Sequence, residues 1–515
     1  MKFYARPVIL IAFGEYENLG MGYLSAVLNE AGYETQMIDF RLRNDKILAD
    51  VQMCDPLVIG FSVTYEGYID EFVKLAKYLR NGGINCHFTA GGYFASLRPE
   101  ELFSLIPELD SIVRFEGEDA LPELVECLSS GEDWKELRSI AFRDDNRIIN
   151  TPLRPLENNL DRFPFPLRLP PKEYAFGKKF ATIIAGRGCI YNCSYCNSRE
   201  FYRMHGGPVK RLRKPEAVVT EMEQLFHDKD CAIFLFQDDD FPLKTGDDNY
   251  WIKSFCDELK QRGLHNRIIW KINCRPDEID ADNLWLMKQH GLFDVYIGLE
   301  DGTDEGLARI NKKTTLAENL ECIKLLKSSG IGFDYGFMMF QPETTHASLR
   351  KNLEFLGKVC SDGYTPVFFL KLMPYFETRV ERELKEQGRL KGRPGHYDYD
   401  FNTKSLNDCY STVMDIFVQW LWSAEGVTNM SKWARNYFAV HDHFGIAWPA
   451  VETLREKFRK TAAESNMYVL DSLAELFEIF ESGSYMKDGQ QTIDRIKSET
   501  KRRHAFYCRE IRACF

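Results

Sequence analysis

Residues 185–197 read Ala185-Gly186-Arg187-Gly188-Cys189-Ile190-Tyr191-Asn192-Cys193-Ser194-Tyr195-Cys196-Asn197. Three cysteines on one short loop, spaced C-x3-C-x2-C, can converge on one inorganic centre. Soft thiolate ligands select zinc or an iron–sulfur cluster. A structural zinc site closes with a fourth Cys or His, usually in paired two-cysteine knuckles. No second pair follows, and the nearest extra donor is a lone His205. Three thiolates leave one iron of a four-iron cube open to another ligand. The first reading is therefore a [4Fe–4S] cluster; a zinc site and three unrelated buried thiols are the competing ones.

Working outward, apolar runs at 180–185, 232–237, 268–273, 294–298, 332–340 and 365–372 read as strands. Helical patterns at 215–226, 250–262, 281–290, 315–328, 345–358 and 378–386 alternate with them. This predicts an open, partial (β/α)6 barrel over 181–390, with functional residues where strands end. Upstream, strand patterns at 8–13, 35–39, 57–62, 87–90 and 111–114 alternate with helical ones at 21–31, 45–52, 68–80, 99–106 and 119–128. That alternation predicts a parallel, doubly wound α/β domain over 1–130. Such sheets bind ligands beyond the carboxyl ends of their strands. Glycine-containing turns stand there: Asn18-Leu19-Gly20-Met21-Gly22, Gly60-Phe61-Ser62-Val63-Thr64, Ala90-Gly91-Gly92-Tyr93 and Phe115-Glu116-Gly117-Glu118. Bare backbone admits a large ligand, although ordinary βα turns would look the same. Residues 131–180 read as a connector. It holds a hairpin of 140–143 with 147–150, then a proline-rich extended stretch. Residues 391–515 read as a helical domain, with helices at 405–423, 430–440, 450–465, 468–482 and 490–515.

Composition narrows the function. The 515 residues are 44% hydrophobic and 28% charged, the balance of a globular chain of about three domains. Lys+Arg number 66 against 77 Asp+Glu, a net charge of -11 that argues against a nucleic-acid partner. No apolar run approaches the ~18 residues of a membrane span. The opening residues enter a strand without a signal-peptide pattern, so a cytoplasmic protein with free thiols is expected. The basic run 210–214 reads as a solvated approach to a helix. His441 and His443 read as solvent- or substrate-facing, and Trp420, Trp422, Trp433 and Trp448 as core packing or a substrate lid.

The cysteine loop after the first barrel strand resembles that of the radical S-adenosylmethionine (SAM) superfamily. The resemblance implies a [4Fe–4S] cluster on Cys189, Cys193 and Cys196. It implies an open iron that binds the amino and carboxylate groups of SAM, and cleavage to a 5′-deoxyadenosyl radical. Tyr195 matches the position packed near the adenine. Gln237, Asp238, Asn273, Arg275 and Glu300 sit at strand ends where SAM contacts are implied. Phe236-Gln237-Asp238-Asp239-Asp240-Phe241 is similar to the acidic segment of the cobalamin-associated branch. The superfamily's Gly-Gly-Glu is absent, and Gln237 and Asp238 hold that strand end.

The N-terminal (flavodoxin-like) half is similar to that branch's cobalamin-binding domain. The similarity spans about residues 5–380 and places Leu19, Gly20, Ser62, Val63, Thr64, Gly91, Gly92, Tyr93, Glu116, Gly117 and Glu118 against cobalamin. A D-x-H-x-x-G motif would supply a histidine to cobalt, but Gly14-Glu15-Tyr16-Glu17 stands there instead. The implied activity is cobalamin-dependent methyl transfer to an unactivated carbon of a small molecule. One SAM would recharge cobalt and a second would supply the radical, with electrons from a donor such as flavodoxin or ferredoxin. The alternative is a radical dehydration or rearrangement, as in aminoglycoside diol-dehydrating enzymes, without use of the corrinoid.

Overall fold

The computed structural model describes residues 6–14, 17–145, 147–244, 250–486 and 489–515. The Glu15-Tyr16 pair and the Asn146 turn residue of the sequence reading lie outside them. Strands β1 (Val8–Ala12), β2 (Thr35–Asp39), β3 (Val58–Ser62), β4 (His87–Gly91) and β5 (Ser111–Val113) form a parallel sheet in the order 2-1-3-4-5. β1 is buried along its whole length, because helices cover both faces of the sheet. Ile9, Ile11, Ile59 and Phe61 pack on one side, and Val8, Leu10 and Val58 on the other. The strand order reverses between β1 and β3, which opens a crevice at their carboxyl ends.

The hairpin read as part of a connector does more than connect. β6 (Ile140–Asp144) pairs antiparallel with β5, and β7 (Arg147–Asn150) pairs with β6, giving a seven-stranded sheet. It covers the edge that β5 would otherwise expose.

The second sheet contains β8 (Glu173–Ala175) and β9 (Lys178–Ile183). A two-residue ribbon of β10 (Gly186–Arg187) and β11 (Arg211–Leu212) follows. The sheet continues with β12 (Cys231–Phe236), β13 (Ile269–Cys274), β14 (Leu292–Glu300) and β15 (Gly332–Phe337). The order is β15-β14-β13-β12-β9-β8, parallel except for β8. The strand expected at 365–372 forms no regular ladder. Pro366 has no N–H to donate, and the run is held by Leu370 N–H to Phe337 O (2.9 Å), Leu372 N–H to Phe340 O (2.8 Å) and one bridge between Phe340 and Lys371.

The C-terminal helices span Lys404–Trp422, Val427–Phe444, Val451–Ser482 and Gly489–Arg512. The two helices expected at 450–465 and 468–482 are one. Asn466, between the two expected helices, is buried and bonds the Val367 N–H (3.0 Å) and the carbonyls of Cys360 (2.7 Å) and Thr365 (2.9 Å). Among the described residues no helix is long and apolar enough to cross a membrane.

Helix Val427–Phe444 closes the lower end of the barrel. Its Val440 packs on Tyr174, Ile233, Ile269 and Phe293, all near strand starts. Its Arg435 bonds Asp294 (2.8 Å) and Asp334 (2.7 Å), and Lys271 bonds the same carboxylates (2.9 and 3.2 Å). Burial opposes charge on Asp334, but Lys271 and Arg435 hold its carboxyl well below the usual range. Removing one member of a buried ionic network strands the others at a cost of about 3–5 kcal/mol. Arg435→Met is therefore expected to lower the unfolding free energy by about that amount, read as a drop in the urea midpoint. An unchanged midpoint would show that the network carries no weight.

Candidate active site

The cysteine loop leaves the end of β9 and is pinned by the acidic run after β12. The Asp238 carboxylate accepts the N–H groups of Ala185 (3.0 Å) and Gly186 (2.7 Å). Asp239 accepts the Gly188 N–H (3.2 Å) and the Ser198 hydroxyl (2.9 Å), and Asp240 accepts Lys210 (2.6 Å). Burial pushes the Asp238 carboxyl up to about 7. Gly188 has φ +84 and its missing Cβ would collide with the Val209 carbonyl, so only glycine fits. Farther along, Ser194 N–H bonds Ile310 O (2.9 Å) and Val380 N–H bonds Ser194 O (3.1 Å).

The three thiols are accessible: Cys189 and Cys193 are half-buried and Cys196 is exposed. Burial, then the charge of Asp240, pushes the Cys189 thiol up to about 12. Cys196 lies within range of both Cys189 and Cys193. Such thiols become thiolates when a metal centre takes them. Among the described residues no three His, Cys, Asp or Glu side chains could hold a single metal ion. The donor set is three cysteines on one loop, which fits a cluster with an open iron.

Two of the strand-end residues, Arg275 and Glu300, converge on the thiol side of this loop. Tyr195 donates its hydroxyl to Glu300 (2.9 Å), and Lys312 bonds Glu300 (3.1 Å) and reaches the Tyr195 oxygen (3.4 Å). Glu300 has φ +64, where the β14–β15 register shifts. The register-paired Gly298 and Gly336 make the room: a Cβ on either would strike the Glu300, Lys312 or Tyr296 side chain. Arg275 lies 3.8 Å from Cys193 Sγ and 3.7 Å over the Tyr191 ring, and bonds Asp277 (3.0 Å) and the Lys312 carbonyl. Tyr191 donates to Glu278 (2.8 Å), whose carboxyl burial pushes up to about 7. The others go elsewhere. Asp238 spends its carboxylate on the loop backbone, Asn273 donates to Phe236 O (3.4 Å), and Gln237 faces a cavity between the domains. Lys312 escaped the sequence reading of the site; its only signal was its place after the fourth barrel strand.

That cavity, of about 530 Å3, lies between the carboxyl ends of β1, β3, β4 and β5 and the mouth of the barrel. Its walls include Leu19, Gly20, Ser62, Thr64, Gly91, Gly92, Tyr93, Glu116, Gly117 and Glu118 on one side. Ile184, Gly186, Arg187, Gln237 and Asp239 form the other. Val63 lies outside it, with its side chain in the sheet core. Among the described residues that line it there is no histidine. Bare glycine backbone, apolar side chains such as Leu10 and Leu121, and hydroxyls from Ser62 and Thr64 fit a large amide-rimmed macrocycle. Arg187 bridges to Glu116 (3.1 Å) and Glu118, and Arg211 bonds Glu116 (2.7 Å). The run 210–214 is thus no solvated approach: Arg211 is buried against Glu116, and Arg213 against Glu221 (2.6 Å) and Asp161 (3.2 Å).

A second contact joins the domains near Cys196. Arg98 bonds Glu381 (2.9 Å) and Glu377 (2.6 Å) across it. Beside them Glu66 is buried, with Oε2 unpartnered, and Tyr375 lies within range of both Glu66 and Cys196.

A doubly wound domain whose ligand end faces an open barrel with a three-cysteine loop defines a radical enzyme with two organic cofactors. Residues 5–125 match the B12 binding domain, and residues 183–356 match the Radical SAM superfamily. The chain belongs to the radical SAM enzymes that carry a B12-binding domain, and its cofactors are cobalamin, SAM and a [4Fe–4S] cluster. It is 28% identical over 372 residues to the "uncharacterized methyltransferase PH0819" of Pyrococcus horikoshii, covering 70% of this chain and 77% of that one. It is 27% identical over 389 residues to the anaerobic magnesium-protoporphyrin IX monomethyl ester cyclase of Cereibacter sphaeroides, covering 72% of this chain and 61% of that one. The solved structure of the cobalamin-dependent SAM radical enzyme OxsB, with aqua-cobalamin and SAM bound, shares the fold with a TM-score of 0.72 and 17% identity, over 99% of this chain and 80% of that one.

Burial, with Glu381 and Glu101 nearby, pushes the Glu66 carboxyl up to about 7. A carboxyl raised in the folded state contributes stability below its unfolded pKa, and loses it as pH rises through the folded value. Wild type is therefore expected to lose up to about 3 kcal/mol relative to Glu66→Gln between pH 4.5 and about 7. Urea melts of both proteins at pH 5 and pH 8 test this, and a constant difference between them counts against it.

Proposed function

We propose that this enzyme transfers a methyl group to a carbon of a small molecule by way of a substrate radical. The observation that carries the reading is the cavity shared by the sheet's ligand end and the barrel mouth, with the cysteine loop beside it. When bound, the cluster with SAM supplies a 5′-deoxyadenosyl radical and cobalamin supplies a methyl group. Cys189, Cys193 and Cys196 hold the cluster, and Arg275 places a cation beside Cys193. Tyr195, Glu300 and Lys312 form one hydrogen-bonded wall for SAM, with Asn273 on the next strand. The Asp238 and Asp239 carboxylates fix the loop backbone, so the thiols keep their place. Leu19, Gly20, Ser62, Thr64, Gly91, Gly92, Tyr93, Glu116, Gly117 and Glu118 would cradle the corrinoid. Reaction through a radical depends on such positioning, since a misplaced radical reacts elsewhere. A one-electron donor such as flavodoxin or ferredoxin completes the system, and the cytoplasm suits its free thiols.

The Pyrococcus relative is named a methyltransferase, which supports methyl transfer; the Cereibacter relative is named a cyclase, which favours a radical step without it as the second reading. After anaerobic reconstitution, Cys189→Ala, Cys193→Ala and Cys196→Ala should each abolish SAM cleavage and the cluster's visible absorbance. With substrate, wild type should form S-adenosylhomocysteine and 5′-deoxyadenosine in equal amounts, together with a product heavier by one methylene. If 5′-deoxyadenosine forms alone and the product gains no carbon, methyl transfer is wrong and the second reading stands.

A further inference from the structure

The lower lumen of the barrel holds one more cation than its carboxylates can balance. Asp294 and Asp334 are each bonded by both Lys271 and Arg435, two anions against two cations. Lys432 stands one helical turn before Arg435 on helix Val427–Phe444. It lies within range of the charges of Asp334, Arg435, Lys271 and Asp294. Among the described residues it has no hydrogen-bond or ion-pair partner, and its Nζ sits 4.9 Å over the Phe368 ring. Burial, reinforced by Arg435 and Lys271 against the pull of Asp334, holds its ammonium below the ordinary lysine range. The side chain is half-buried and no carboxylate bonds its ammonium, so an anion joining it would complete its pairing.

Tyr296 points inward from β14, register-paired with Asp334, yet is 39% exposed; its hydroxyl lies beside Gly336 and within range of Glu300. Trp433, next to Lys432, is 40% exposed, and so is much of Tyr375, which lies within range of Cys196. Glu300, Tyr296 and Asp334 thus follow one another from the cysteine-loop end of the barrel towards Lys432.

We propose that Lys432 receives an anionic group of a substrate held in the barrel lumen, phosphoryl or carboxylate, which places the reacting carbon near the cysteine loop. An anion there would bring the lumen to three charges of each sign. The proposal rests on the radical reading above only in taking the lumen as the side of the loop on which the substrate lies.

The reconstituted holoenzyme can be titrated with methylphosphonate and, separately, with acetate, with binding read by calorimetry in a zwitterionic buffer. At least one probe should bind saturably, at least about ten-fold more weakly to Lys432→Met, and nearly as well to Lys432→Arg. Binding of methylphosphonate alone assigns a phosphoryl group, and binding of acetate alone assigns a carboxylate. Binding of neither, or equal binding to Lys432→Met, overturns the proposal. Lys432 bonds no carboxylate and touches only the Phe368 ring, so Lys432→Met should melt close to wild type; a marked fall in melting temperature would mean an internal ionic partner and also counts against the proposal. Cobalamin uptake and SAM cleavage by the same wild-type preparation test the radical reading separately, since they need no anion in the lumen.

Discussion

Three consecutive carboxylates, Asp238, Asp239 and Asp240, hold the mouth of this molecule together. A loop that must present three thiols outward cannot bury them, so it lacks the apolar packing that fixes most loops. The acidic run supplies what packing does not, by taking backbone N–H groups at Ala185, Gly186 and Gly188 and the Lys210 ammonium. The same loop carries Arg187, which reaches across to Glu116 and Glu118 at the carboxyl end of the N-terminal sheet. One short segment therefore sets the place of the thiols and the place of the two domains. Charged groups do this because their hydrogen bonds are strong and directional, where apolar contact would slide.

Much of this was legible in the sequence. The apolar runs alternating with helical patterns and the glycine turns pointed to the parallel sheet and its ligand end, and the cysteine spacing pointed to the inorganic centre. These signals are local: each lies within a few residues of the group that it predicts. What escaped depends on pairs far apart in the chain. Asp238 read as a ligand because it ends a strand, but its oxygens are taken by residues 185 and 186. Arg211 and Arg213 read as solvated because a basic run usually is; their carboxylates lie at residues 116 and 221. The hairpin at 140–150 was visible as a hairpin, yet nothing local says that it will extend the first sheet. The helices expected at 450–465 and 468–482 are one, and the Asn466 side chain between them bonds backbone groups of the barrel far away in the chain.

The buried charges in the barrel are weak evidence for stability, since desolvation offsets much of their attraction. Their use is geometrical. Lys271, Asp294, Asp334 and Arg435 come from three strands and a helix, and their hydrogen bonds admit one register of that helix under the sheet. An apolar floor would be as stable and less selective about position.

The helix across the bottom of the barrel also sets an order of events during synthesis. Arg435 emerges from the ribosome more than a hundred residues after the strands whose carboxylates it pairs. The N-terminal sheet draws all its strands from the first 150 residues and can close early, as domains do when they fold in the order in which they are made. The barrel cannot: until the tail appears, its lower lumen is an open trough with charged walls and apolar strand starts exposed to water. The C-terminal helices thus act as the last piece of the barrel rather than as an appendage, and a nascent chain that stalls before residue 435 would present an unfinished, sticky half-barrel to the chaperone machinery.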